Sequence, residues 1–328
     1  MSQQVNVISL NATVPDEHYD TRLDQSIARL FPEYSRSKLK EWILAGQVTI
    51  DGEVTKTPRV KLKGGEQIAV NAEQEVQVFN EPQNIALDIV YEDEHILVIN
   101  KPTDLVVHPG AGNPSGTLLN ALLNHFPDIE QVPRAGIVHR LDKDTTGLMV
   151  VAKTLSAQTH LVNQLQAREM GREYEAVVLG NLIAGGVVDK NIGRHATKRT
   201  LMAVRETGKP AVTHYRVKQK FRAHTHLRLK LETGRTHQIR VHMTHLKHPL
   251  VGDYQYGGRP RLPKLASEQF VAALRGFNRQ ALHAIQLSLI HPVTNEEMTW
   301  QAPLPQDFVE LLDEMQADLA LNGMPDQW

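Results

Sequence analysis

From Thr225 to Glu232 the chain reads Thr-His-Leu-Arg-Leu-Lys-Leu-Glu, a strict alternation that puts Leu227, Leu229 and Leu231 on one face and polar side chains on the other. A period of two marks a half-buried β-strand, because successive side chains leave a pleated backbone on opposite sides. Further short β-type runs lie between Ile89 and Lys101 and on both sides of a polar turn within residues 136–153. Many of these runs are joined by turns, whereas parallel neighbours need crossovers of a dozen or more residues. The expected fold class is α+β, on a mixed, largely antiparallel sheet, and not a doubly wound one.

The 328 residues are enough for two domains. The absence of cysteine excludes disulfides, thiolate metal sites and cysteine nucleophiles, and fits a reducing compartment. The first residues carry neither a basic region nor an apolar one, and no apolar run approaches the length of a membrane span, so a cytoplasmic protein without membrane contact is expected, a monomer by default. The net charge of -1 hides an uneven distribution. Fourteen lysines and arginines lie between Asp189 and Arg240 against Asp189, Glu206 and Glu232, while acids gather over residues 73–94 and again at Asp307, Glu310, Asp313, Glu314 and Asp318. Such segregation suits a face that meets a polyanion; the plainer account is charged solvation of exposed strands and loops.

The first part of the chain reads helix, helix, hairpin. Leu23, Ile27, Leu30 and Phe31 stand at helical spacing before Pro32. Ser35 is placed to cap a second helix from Arg36 to Leu44, with Leu39, Trp42 and Ile43 inward and Gly46 ending it. Asp51-Gly52 between short β-type runs is a hairpin signal, and Gly64-Gly65 marks a further turn before Gln67. Arg36, Lys38 and Lys40 are candidate nucleic-acid contacts on the second helix. Residues 1–71 are expected to form this domain, 72–88, rich in Gln, Asn and Glu, a linker, and 89–328 a larger domain. The glycines from His108 to Gly116 lack the Gly-Lys-Ser/Thr ending of a phosphate loop, which argues against a nucleotide cofactor.

Asp142 is the first candidate for chemistry. It sits in the turn of His139-Arg140-Leu141-Asp142-Lys143-Asp144-Thr145-Thr146-Gly147, between apolar runs that can hold it rigidly, although a turn aspartate more often only caps backbone N–H groups. Tyr174, in Gly171-Arg172-Glu173-Tyr174, and the run Gly234-Arg235-Thr236-His237-Gln238-Ile239-Arg240 join it. With Asn100-Lys101-Pro102, these motifs resemble the RluA-type pseudouridine synthases, in order, from about Leu87 to Pro303; the Arg-Leu-Asp, Ser-Arg-Ser and Gly-Gln-Val-Thr-Ile-Asp-Gly pattern of the first part resembles the S4 RNA-binding domain.

The resemblance implies isomerisation of uridine in RNA, in which the base is detached from N1, turned, and rejoined through C5, with no cofactor and no metal. Carried over residue by residue, Asp142 is the catalytic carboxylate, Arg240 its partner, and Tyr174 the aromatic over the uracil face and an acceptor for the C5 proton. Arg140 would brace the space vacated by an extruded base, Arg235 would grip phosphate, Lys101 would support the tyrosine side, and His139 would line the substrate. The implied partner is ribosomal RNA of the large subunit or its precursor, at uridines in the loop of helix 69. Whether Asp142 attacks C1′, attacks C6 or forms a glycal stays open. A non-catalytic RNA-binding assembly factor that retains the fold is the rival reading. His237, His242, His245 and His248 with Asp253 suggest a metal site only weakly, since no His-Glu-x-x-His motif is present. Asp142 with Asp144 could pass for a glycosidase pair, but aromatic platforms for sugar are missing.

Overall fold

In the computed structural model, residues 5–32, 34, 36–75, 81–110, 112–198, 200–258 and 262–324 are described. The chain divides between residues 78 and 79 into two compact units. The first contains β1 (Val5–Thr13), α1 (Leu23–Leu30), α2 (Arg36–Ala45), β2 (Val48–Ile50), β3 (Glu53–Thr55) and β4 (Gln67–Glu75). Its strands run in the order β1-β4-β2-β3, antiparallel throughout. Leu23, Ile27, Leu39, Trp42 and Ile43 from the helices close over Val48, Ile68 and Val70. Asp51 and Gly52, at φ 50° and 86°, make the two-residue left-handed turn that matches strand twist. Ser35, expected to cap α2, lies outside the described residues.

β1 is not among the expected elements, although Ile8, Leu10 and Ala12 pack on the core and alternate with Ser9 and Asn11. It pairs with β4 along its whole length and draws that strand out to Glu75, so residues 72–75, read as the start of a linker, are strand. Residues 81–87, also read as linker, lie on structure as well. Gln83 N–H donates to Asn120 O (3.0 Å), Asn120 donates to Glu81 O (2.9 Å), and Ile85 and Leu87 pack on the core of the second unit.

The second unit comprises β5 (Ile89–Glu92), β6 (Ile96–Lys101), α3 (Leu118–His125), β7 (Thr146–Ala152), α4 (Leu155–Ala167), β8 (Gly171–Leu179), β9 (Gly186–Asp189), β10 (Ile192–Arg194), β11 (Met202–Val204), β12 (Val212–Lys220), β13 (His224–Leu231), α5 (Gln238–His245), α6 (Glu268–Gly276), β14 (Leu282–Ile290), β15 (Glu297–Gln301) and α7 (Gln306–Asn322). Among the described residues nine strands form one sheet, β5-β6-β7-β14-β8-β13-β12-β9 with β15 on β14; β10 and β11 form a separate hairpin. Every pair is antiparallel except β7 with β14. The α+β class and the mixed, largely antiparallel sheet are those expected from the sequence.

Both faces are covered. Leu97, Ile99, Met149, Val151, Tyr174, Leu227 and Leu229 meet α3 and α5 on one side. Ile96, Val98, Leu148 and Val150 meet α4, and Val177 and Leu179 meet α6 and α7, on the other. That is why Ile96 to Ile99 is apolar without alternation. β13 correspondingly departs from the half-buried strand expected of it: its leucines are inward, but His224 and His226 on the opposite face lie under Phe270 and Phe308, with ring centroids 5.8 and 6.0 Å apart. Part of the basic segment is consumed internally. Lys218 and Arg228 pair with the buried Glu175, and Arg222 with Asp318 of the acidic α7. No helix among the described residues is long and apolar enough to cross a membrane.

Burial pushes the imidazoles of His224 and His283 down to about 4. Both are neutral in the fold at pH 5–6.5, whereas in the unfolded chain they take up protons below about pH 6.5. Stability is therefore lost as pH falls from about 6.5 towards 4, by roughly 1.4 kcal/mol per pH unit for each histidine. Urea denaturation at pH 7, 6 and 5 should show this decline, and His224→Leu should remove about half of this two-histidine slope.

Candidate active site

Two glycines let the Asp142 turn approach the sheet. Gly147, at φ 112°, passes so close to β14 that a Cβ would stand 2.3 Å from Ala284 O, and a Cβ on Gly136 would overlap Ala152 O. Between them the chain turns through Asp142 to Thr145, closed by Thr145 N–H to Asp142 O at 3.0 Å. Gln280 Nε2 donates to Thr145 Oγ1 (2.8 Å) from just ahead of β14.

Lys101 holds this turn from behind. Fully buried at the end of β6, its ammonium donates to Pro102 O (2.7 Å), Leu105 O (2.9 Å) and Lys143 O (2.8 Å). Burial pushes its pKa down to about 8. It is not among the residues that line the cavity described next, so the expected support of the tyrosine side is corrected: Lys101 fixes the backbone that carries Asp142.

A cavity of about 620 Å³ opens above the turn, and Asp142, Tyr174, Arg240, Arg140, Arg235 and His139 all line it. Arg240, buried on α5, donates from Nη1 to Asp142 Oδ2 at 3.0 Å across a separation of 98 residues. Its other donors are committed to Asp253 (Nε 2.7 Å, Nη2 2.9 Å) and Gln255 (2.8 Å), and the Tyr256 ring lies 4.8 Å from the guanidinium carbon. The two carboxylates raise the pKa of Arg240 although burial alone would lower it.

Tyr174 is 6% exposed, on the β8 face that meets α5. Burial raises its pKa, so the phenol stays protonated, which disfavours it as the base for a C5 proton. His139 faces the cavity, yet its Nε2 accepts from Val150 N–H (3.1 Å) and burial pushes it down to about 3, making it a neutral wall. Arg140 and Arg235 are exposed at the mouth; Arg235 Nε donates to Pro210 O (3.1 Å), just ahead of α5.

Two cavity residues received no catalytic role in the sequence reading. Arg172 lies inside, two positions before Tyr174 on the same strand face. His237, in the left-handed conformation at φ 55°, presents Nε2 3.8 Å from Asp142 Oδ1, while Nδ1 is 2.7 Å from Tyr256 Oη. Its place in the Arg-Thr-His-Gln-Ile-Arg run was the available signal. The histidines weighed as ligands do not converge: His242 is held by Thr213 Oγ1 and Lys190 O, and His248 by Leu179 O. Asp144 lines a separate cavity of about 450 Å³, not that of Asp142, which removes the glycosidase pairing. In the first unit, Arg36 Nη2 pairs with the buried Asp24 (2.7 Å), Lys38 lies 3.4 Å from Glu41 and 5.9 Å from the Trp42 ring, and Lys40 is exposed.

A family of RNA pseudouridylate synthases matches residues 95–245, and the S4 domain matches residues 21–68. The chain is 64% identical, over 311 residues and 95% of both chains, to the ribosomal large subunit pseudouridine synthase D of Escherichia coli strain K12. It is 62% identical, over the full 328 residues of both, to the protein of that name from Vibrio vulnificus. Among solved structures, human RNA pseudouridylate synthase domain containing 4 superposes with TM-score 0.55 at 26% identity, over 70% of this chain and 92% of that one. Human RNA pseudouridylate synthase domain containing 1 gives 0.52 at 28%, over 75% and 98%. The chain belongs to the RNA pseudouridylate synthase family and is an enzyme of that class, preceded by an S4 domain.

Replacing Lys101 by Met leaves three carbonyls without their donor. Lys101→Met is expected to lower the unfolding free energy by about 3 kcal/mol and to reduce kcat more than it raises KM. Lys101→Arg should not restore either, because a planar fork does not fit three converging acceptors. Urea denaturation and steady-state kinetics on RNA check both.

Proposed function

We propose that this enzyme converts uridines of large-subunit ribosomal RNA to pseudouridine, at the loop of helix 69, with Asp142 as the reacting carboxylate. The observation that carries the assignment is the 3.0 Å pair between Arg240 and Asp142 at the base of a cavity rimmed with arginines. Arg240 orients Asp142, and its own bonds to Asp253 keep it from following substrate. The Tyr174 ring supports the face of the uracil. Arg140 fills the space left by the extruded nucleotide, and Arg235 takes a flanking phosphate. The relatives named for the large ribosomal subunit support the choice of RNA.

The S4 domain supplies further affinity, with Arg36 and Lys40, four residues apart on α2, on one face. A-form RNA keeps its deep major groove closed to side chains, so shape, phosphates and an extruded base are what the protein can read.

Pseudouridine mapping of ribosomal RNA from cells lacking the protein tests the assignment. Wild type should restore particular loop uridines and Asp142→Asn should not; in vitro that variant should lose at least about 10²–10⁴-fold in rate while binding RNA normally. A map that is unchanged without the protein would refute it. Replacing Arg36, Lys38 and Lys40 together by Gln should weaken RNA binding and flatten its salt dependence by up to about 2–3 in log–log slope, with kcat preserved at saturating RNA. Titration at two or more salt concentrations measures this.

A further inference from the structure

We infer that Arg172 is a further catalytic residue, whose buried guanidinium binds the uracil carbonyl oxygen that gains negative charge when the glycosidic bond breaks. The inference rests on the reading of Asp142 as the centre of uridine isomerisation and extends it to a group for the departing base.

Arg172 is 6% exposed and lines the cavity. Of its donors, Nη2 makes a long contact to Glu232 O at 3.3 Å, and Nε is buried with no partner among the described residues. The protein's other deeply placed arginines are each pinned by carboxylates: Arg240 by Asp253 and Asp142, Arg279 by Asp307, Arg222 by Asp318. No carboxylate pairs with Arg172 among the described residues; Glu232, the nearest acid in its contacts, gives its side chain to Arg168 and His214. Room is left for the guanidinium, since a Cβ on Gly234 would stand 2.7 Å from Arg172 Nη1. Burial lowers its pKa, the neighbouring Arg235 adds to this, and only the Tyr174 phenol opposes them. A buried, uncompensated cation is costly to a fold unless an anion arrives to meet it.

Depth decides which anion. The phosphates of bound RNA remain hydrated and meet Arg140 and Arg235, which are exposed at the mouth. Arg172 lies below them beside Tyr174 and His139, within reach of an inserted base. When N1–C1′ breaks, its electron pair stays on the base and spreads over N1, O2 and O4. C1′ bonds a carboxylate oxygen of Asp142, or C2′ gives that carboxylate a proton and a glycal forms. C5 then bonds C1′ as the C1′–O bond to Asp142 breaks, or as C2′ takes its proton back from that carboxylate, and the freed Asp142 carboxylate accepts the C5 proton. Throughout the interval a uracil anion faces Arg172, and a donor aimed at charge that develops only then raises kcat rather than affinity.

The test compares Arg172→Met, Arg172→Lys, Gly234→Ala and Asp142→Asn in the full-length protein. Arg172→Met should lower the single-turnover rate by about 10²–10³-fold, leave RNA affinity and its salt slope unchanged, and keep or raise the thermal midpoint of the free enzyme, since it removes an unpaired charge. Arg172→Lys should recover part of the rate, and Gly234→Ala, which displaces the guanidinium, should lose part of it. A lowered midpoint accompanying the lost rate would mean a structural strut and overturn the inference. So would a salt slope reduced by about 1 with the rate intact, which marks a phosphate contact. Activity in Asp142→Asn would sink the underlying reading; an inactive Asp142→Asn beside a fully active Arg172→Met would sink this one alone.

Discussion

One guanidinium organises the catalytic unit. Arg240 reaches from α5 to Asp253, Gln255 and Asp142, with the Tyr256 ring against its flat side. A buried ion pair is weak as a source of stability but strong as a source of orientation when its donors are held from several sides. Here three bonds to the 253–255 loop fix the fork, and a fourth, from Nη1, fixes one oxygen of Asp142. Oδ1 is thereby turned towards His237 and the cavity. Lys101 applies the same logic from the opposite side, to backbone carbonyls instead of a carboxylate.

The cations around the cavity fall into classes set by burial and partners. Arg140 and Arg235 face solvent, where a guanidinium is inexpensive and can exchange water for phosphate. Arg240 is buried and fully paired, and Arg172 is buried without a counter-charge. The net charge of the chain conceals this arrangement, as does the basic segment itself, because several of its residues answer Glu175 and Asp318 inside the fold.

What could be read in advance was whatever depends on local chemistry. The α1 and α2 apolar stripes and the Asp51-Gly52 turn are local signals, and the order of motifs around Asp142, Tyr174 and Arg240 carried the family. Roles that depend on what covers a residue were hidden. A lysine before a proline at a strand end reads as surface, yet Lys101 is enclosed by carbonyls of its own following turn and of Lys143, 42 residues away. The outer face of β13 reads as solvent-facing until α6 and α7, remote in sequence, close over it. His237 looked like one of several scattered histidines because only the helix start at Gln238 and the Tyr256 hydroxyl aim it at Asp142. Arg172 was legible only as a neighbour of Tyr174.

The place of β14 has a temporal consequence. It lies between β7, which follows the Asp142 turn, and β8, which carries Tyr174, and Thr146 bonds His283 across 137 residues. The first unit is complete within the first 78 residues and can fold while the chain is still being synthesised. The second cannot be completed that way: when Arg240 has emerged, all three reactive side chains exist, yet the strand that spaces them has not been made. A nascent chain is thus able to assemble its S4 domain long before it has a working reaction centre, and catalytic competence arrives late in synthesis.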